Sequence, residues 1–215
     1  MVEKQMVRRG RKLQQVCEGA RKIFLRDGYE GASVDDISRA AGVSKATLYS
    51  YFPHKQLMFQ QILENEIDRA EQQQAELPGS DLPPDLGLPA ILHVMVRDAL
   101  SEAQIAAFRL SVAEARHFPR HARKYHDRVL SRRGAALVAY LEHWVAKGAL
   151  RIADIQLAAD HLWHLTAGAL SQRAALLPDD IIDDALIQRT CARVVAPFLR
   201  ACATGRGVPH VAAAQ

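Results

Sequence analysis

The stretch 33–57, "SVDDISRAAGVSKATLYSYFPHKQL", constrains the fold more than any other part of this chain. Gly42 interrupts its helical pattern after two turns, and Pro53 follows the end of the next helical piece, Ser44 to Phe52. Glycine enters a left-handed turn easily, and proline does not continue a helix. Ser33 precedes the first piece with Asp36 at the third helical position, a capping-box pattern, and Ser44 caps the second. Val43 and Leu48 are placed to pack the two pieces together, which leaves Lys45, Thr47, Tyr49, Ser50 and Tyr51 around the outside. Two helices joined by a three- or four-residue turn with glycine form a helix-turn-helix.

The outward residues suit one task. A helix lying in the DNA major groove needs donors and acceptors near its N-terminus and few apolar residues on that side. Ser33 and Ser44 stand at helix N-termini, where backbone N–H groups hold phosphates, and Lys55 offers a point charge at the start of the next helix. The charge distribution agrees. Residues 1–57 hold 11 Lys/Arg against 6 Asp/Glu, whereas residues 58–215 hold 17 against 18. The whole cationic excess sits in the first quarter, which points to a polyanion partner for that segment alone. Arg8, Arg9, Arg11 and Lys12 form a basic arm that reads either as a solubilising tail or as a contact to the minor groove or phosphates.

Elsewhere the chain reads as helix. It is 49% apolar and 24% charged, enough to bury a core, and β-branched runs are rare. Leu13, Val16, Ala20, Ile23 and Phe24 recur at helical spacing over 11–27, and Gly28 ends that pattern. A fourth helix is expected over about 54–76. Residues 77–89, "LPGSDLPPDLGLP", read as a loop or linker. Helical patterns follow at about 89–100, 102–117, 119–147, 154–177 and 179–202, so about nine helices in an all-α chain. The expected division is a helix-turn-helix domain over 1–55, a helical ligand-binding and dimerisation domain over 56–204, and a flexible tail over 205–215. No apolar run reaches the roughly 18–20 residues that span a bilayer, and no signal peptide is evident, so no membrane partner and a cytoplasmic location are expected. Cys17, Cys191 and Cys202 form no disulfide framework and read as small apolar residues.

At this point the sequence resembles a known family. The run "DDISRAAGVSKATLYSYFPHKQLMF", preceded by "VCEGARKIFLRDGYEGASVDDI", is similar to the DNA-binding domain of the tetracycline-repressor (TetR) family. The combination of AGVS, TLY, YF and HK at these intervals is far more specific than a bare helix-turn-helix. The resemblance covers residues 11–60 and implies a divergent C-terminal helical domain that binds ligand and dimerises. It places DNA contacts on Lys45, Ala46 and Thr47 at the start of the recognition helix. It also places them on Tyr49 against a phosphate, on Ser50 and Tyr51 further along, and on Lys55 with His54 beside it. Ser38 departs from the family's usual alanine, and its hydroxyl is able to bond a carbonyl one turn back.

The resulting expectation is a ligand-responsive repressor that binds a pseudo-palindromic double-stranded DNA operator as a homodimer and is released by a small, mainly apolar effector. The effector would meet Met95, Phe108 and Trp144, with Arg109, Arg116, His117, His161 and His164 supplying the few polar groups a pocket needs. The bland reading of the same aromatics is ordinary core. No cofactor and no metal site are expected, since the His117/His121 pair lacks completing ligands. An enzyme is not expected, because no GxSxG, HExxH, P-loop or GxGxxG is present. The alternative is a helix-turn-helix activator or architectural protein without an inducer. The two differ in whether the interior of 89–177 holds a cavity.

Overall fold

The computed structural model describes residues 2–72, 77–177 and 179–204, with side chains described from residue 10 onward. These residues form α1 (Val2–Gly31), α2 (Val34–Ala41), α3 (Lys45–Tyr51), α4 (Lys55–Gln72), α5 (Pro84–Ala99), α6 (Glu102–Ala113), α7 (Pro119–Tyr125), a π-helical turn (His126–Leu130), α8 (Ala135–Ala146), α9 (Ile155–Leu176) and α10 (Asp184–Cys202). One isolated antiparallel bridge, Leu150 with Ala203, is the sole β feature among the described residues. None of the described helices is long and apolar enough to cross a membrane.

The chain divides into two compact units. The first joins residues 1–72 to 106–129, and the second joins 73–105 to 130–215. The first unit therefore extends past residue 55 and takes in α4 and a later segment. Its core receives fully buried side chains from each of the first four helices, Phe24, Ile37, Leu48 and Phe59 among them. Leu110 and Phe118 complete it. The ring of Phe59 lies 4.8 Å from those of both Phe24 and Phe118. α1 and α2 approach so closely that a Cβ on Gly19 would sit 2.5 Å from the Ala41 backbone nitrogen.

Ion pairs fix α4 on two sides. Its Glu66, 3% exposed, accepts from Arg21 of α1 through both oxygens, at 2.7 and 3.0 Å. A carboxylate this deep has to be paired, since desolvating it alone is strongly unfavourable. On its other side Lys124 holds Glu64 at 2.7 Å, and Arg128 reaches Asp68 at 2.8 Å and also bonds Glu71.

The second unit packs α5, α8, α9 and α10 around Leu88, Leu92, Leu137, Leu141, Leu162 and Ile187. Tyr140 donates its hydroxyl to the Leu82 carbonyl at 2.5 Å, and burial pushes its pKa up to about 12. Gly87 leaves room for it, because a Cβ there would collide with that hydroxyl. The proline-rich stretch is irregular only over its first part. Pro84 occupies the first position of α5, where its missing N–H loses no helical bond.

Other boundaries also differ from the sequence reading: α6 ends at Ala113, short of 117. The pattern over 119–147 is two α-helices with a π-helical turn and a loop between them, where "SRRG" supplies Ser131 and Gly134, both weak helix formers. α10 begins at Asp184, not near 179. Asp183 caps it by accepting from the Leu186 N–H at 2.7 Å, while Asp180 accepts from Arg173 at 2.5 Å.

Candidate nucleic-acid interface

The short helix α3 exists because both of its ends are held locally. Gly42 ends α2 with φ 62° and ψ 35°, a left-handed conformation, and Val43 N–H returns to the Ser38 carbonyl at 3.1 Å. Ser44 then caps α3: its Oγ accepts from the Thr47 N–H at 3.1 Å and shares a hydrogen bond with the Thr47 hydroxyl at 2.9 Å. Ser33 caps α2 in the same way, accepting from Asp36 N–H at 3.0 Å while donating to the Asp36 carboxylate at 2.7 Å. That hydroxyl, with Arg39 beside it, holds the Asp36 carboxyl below its ordinary pKa. Ser38 donates to the Asp35 carbonyl at 3.0 Å.

Leu48 is wholly buried and anchors α3 to the core, and around it the helix presents a polar surface. Lys45, Ala46, Tyr49 and Ser50 are exposed, and Thr47 and Tyr51 are half-buried. Lys45 pairs with Asp35 of α2 at 2.5 Å, which pushes the lysine pKa up. Ser50 turns its hydroxyl back to the Thr47 carbonyl at 2.7 Å. His54 is exposed at the start of α4, where its carbonyl accepts from Met58 N–H at 3.3 Å. Thus Ser33, Ser44, Lys45, Ala46, Thr47, Tyr49, Ser50, Tyr51 and His54 all lie on or beside the α2–α3 turn and the ends of the two helices. Lys55 is different. It is half-buried, and its ammonium donates to the carbonyls of Tyr29 at 2.8 Å and Ala32 at 3.2 Å. Arg11 and Lys12 of the arm are exposed, and the side chains of Arg8 and Arg9 lie outside the described residues.

The residues expected to meet an effector are not brought together in one unit. Phe108, Arg109, Arg116 and His117 fall in the first, and Met95, Trp144, His161 and His164 in the second. Met95 and Trp144 pack against the second core. Trp144 donates to the Ser80 carbonyl at 3.1 Å. His161 and His164 are exposed, and His117 Nδ1 lies 3.2 Å from Glu114. A cleft of about 390 Å³ opens between α5 and α10, lined by Leu86, Pro89, His93, Val94, Gln188 and Cys191 among others, and none of the eight lines it. Among the described residues no three His, Cys, Asp or Glu stand close enough to hold a metal ion.

A buried apolar anchor under a short, capped, polar-faced helix, set after a second capped helix, defines a helix-turn-helix DNA-binding regulator. Residues 16–62 match the profile of the bacterial regulatory proteins of the tetR family, and residues 87–204 match that of the AefR-like transcriptional repressor C-terminal domain. This chain belongs to the TetR family, whose members are transcription factors and not enzymes. The transcriptional repressor ComR of Escherichia coli is 39% identical over 59 residues, 27% of this chain and 28% of ComR. The repressor AcnR of Corynebacterium glutamicum is 39% identical over 46 residues, 21% of this chain and 24% of AcnR. This chain thus matches about a quarter of the length of those relatives. Among solved structures, a TetR-family regulator of Mesorhizobium loti has a TM-score of 0.71 at 23% identity, covering 91% of this chain and 98% of that one. The Flavonoid-responsive Regulator FrrA has a TM-score of 0.68 at 28% identity, covering 91% and 99%.

Sequence reasoning missed Gly19, Tyr29 and Glu114. A close helix approach, a backbone acceptor and a buried acid leave no mark on periodicity.

Proposed function

We propose that this regulator is a ligand-responsive repressor that binds a pseudo-palindromic operator as a homodimer in the cytoplasm and is released by a small, mainly apolar effector. The single observation that carries the DNA reading is α3. Leu48 is fully buried, while Lys45, Ala46, Tyr49 and Ser50 face solvent with Thr47 at the capped end. Lys45 and Thr47 would meet base edges, and Tyr49, Ser50, Tyr51, His54 and the N-termini at Ser33 and Ser44 would meet the adjacent backbone. Repression is supported by the names of ComR and AcnR. FrrA is named for a response to flavonoids, so flat aromatic compounds are the first to screen by thermal shift.

Selection of duplexes from a random pool tests the reading. An inverted repeat is expected, with affinity falling steeply as salt rises, because each neutralised phosphate releases counterions. A preference identical for the wild type and for Lys45 and Thr47 variants would remove those residues from the base readout. Effector coupling has its own check. If a compound weakens operator binding, the operator weakens that compound's binding by the same factor, about 5- to 150-fold for typical couplings. The second reading, an activator or architectural protein without an inducer, rests on the packing of Met95, Trp144 and Trp163 against the core of the second unit.

A further inference from the structure

The peptide groups around Tyr29 are gripped from two sides. α1 is interrupted at Gly28, which adopts φ 70° and ψ −173°. Only glycine takes that conformation readily, and an interrupted helix leaves backbone groups that need new partners. The Tyr29 N–H donates to Glu114, which follows α6, at 2.9 Å. The Tyr29 carbonyl accepts from Lys55 of α4 at 2.8 Å, and the same ammonium reaches the Ala32 carbonyl at 3.2 Å. The Tyr29 ring completes the arrangement. Lys55 Nζ sits 4.5 Å from its centroid, and the rings of Phe59 and Phe118 each lie 5.1 Å away. Glu114 is 7% exposed, with one carboxylate oxygen on the Tyr29 N–H and the other 3.2 Å from His117 Nδ1. All of these residues belong to the first unit.

Ala32 immediately precedes Ser33, the cap of α2. A cation is favoured where a helix ends in unpaired carbonyls. The two contacts therefore set where α2 starts, and α2 carries the turn that aims α3. Resting on the DNA-binding reading above, we infer that Lys55 and Glu114 are positioning residues for operator recognition, acting through the Tyr29 junction and not through contact with phosphate. Lys55 already spends two donors on carbonyls and lies over a ring. Glu114 is buried, and its negative charge repels phosphate.

The sign of the Glu114 effect separates this from simple electrostatics. Removing a negative charge from a DNA-binding unit strengthens its attraction to a polyanion. The junction demands the opposite. Glu114→Leu, which leaves the Tyr29 N–H without its acceptor, is expected to weaken operator binding about tenfold. Glu114→Gln keeps an oxygen acceptor while losing the charge, and is expected to bind at least as tightly as the wild type.

The experiment uses the full chain and, as probe, a duplex selected from a random pool by the wild type. Binding is followed by fluorescence anisotropy across a salt series. The temperature is one at which circular dichroism shows every variant folded. Lys55→Met is expected to weaken binding while leaving the slope of log affinity against log salt unchanged. A slope shallower by about 0.9 for each phosphate no longer neutralised would make Lys55 a phosphate ligand and overturn its positioning role. Tighter binding by both Glu114 variants, or equal binding by Glu114→Leu and the wild type, would overturn the role of Glu114. If Lys55→Met does not fold, the two Glu114 variants decide the junction's role alone. Failure to recover any preferred duplex would overturn the DNA-binding reading itself and the positioning role with it.

Discussion

At the scale of single residues, this chain depends on positions with no side chain to offer. Gly19 lies where α1 meets α2, and its hydrogen faces the backbone of Ala41. Gly19→Ala would place a carbon 2.5 Å from a main-chain nitrogen, which no rotamer relieves. The helices would have to part, at about 1–3 kcal/mol, the usual range for overpacking. The midpoint of denaturant unfolding is expected to fall with little change in slope. Gly10→Ala is the control, because nothing lies within 4 Å of an added Cβ there. An alanine in an exposed helical position is expected to raise stability by up to about 1 kcal/mol. A Gly19→Ala protein as stable as the wild type would mean that α1 and α2 are free to move apart at no cost.

At the scale of elements, α3 is the revealing case. Seven residues are too few to be helical alone, so its caps and its single buried anchor decide whether it forms. Ser44→Ala removes the acceptor for the Thr47 N–H and is expected to destabilise by about 1 kcal/mol. Ser50→Ala removes only a bond to the Thr47 carbonyl and is expected to stay within about 0.5 kcal/mol. Chemical denaturation of the two variants, side by side, checks the difference. This part of the fold was legible in the sequence because its signals are local. Ser33, Gly42 and Ser44 each act within five residues of themselves. The break at 131–134 was not legible, since apolar spacing continues across it and only Ser131 and Gly134 hint at a stop. Nor was the engagement of Lys55 legible, whose acceptors lie 23 and 26 residues away, or that of Glu114, whose donor lies 85 residues away. Long-range polar contacts of this kind carry no periodicity, so a lysine at a helix start reads as a free charge.

At the scale of the whole molecule, the expected dimer is the property most worth testing. Within α9 and just beyond it, Leu165 is 66% exposed, Leu176 77% and Ile181 86%. A single chain leaves these large apolar groups in water, and a two-fold contact through α9 and α10 would cover them. Leu165→Glu is expected to shift sedimentation at micromolar concentration from dimer to monomer. It would also weaken binding to an inverted repeat far more than to one half-site. A wild type that sediments as a monomer would rule the interface out. The division into units has a different consequence, for inheritance. The head's core is assembled from residues far apart in the chain, with Phe24 and Phe59 closed off by Leu110 and Phe118. A chimera that grafts 1–72 onto another body leaves behind Leu110, Phe118 and the Glu114 that holds Tyr29. The DNA-reading head is therefore not a cassette that recombination can cut at one point. A lineage that exchanges the body has to carry 106–129 with the head, or evolve a substitute for it.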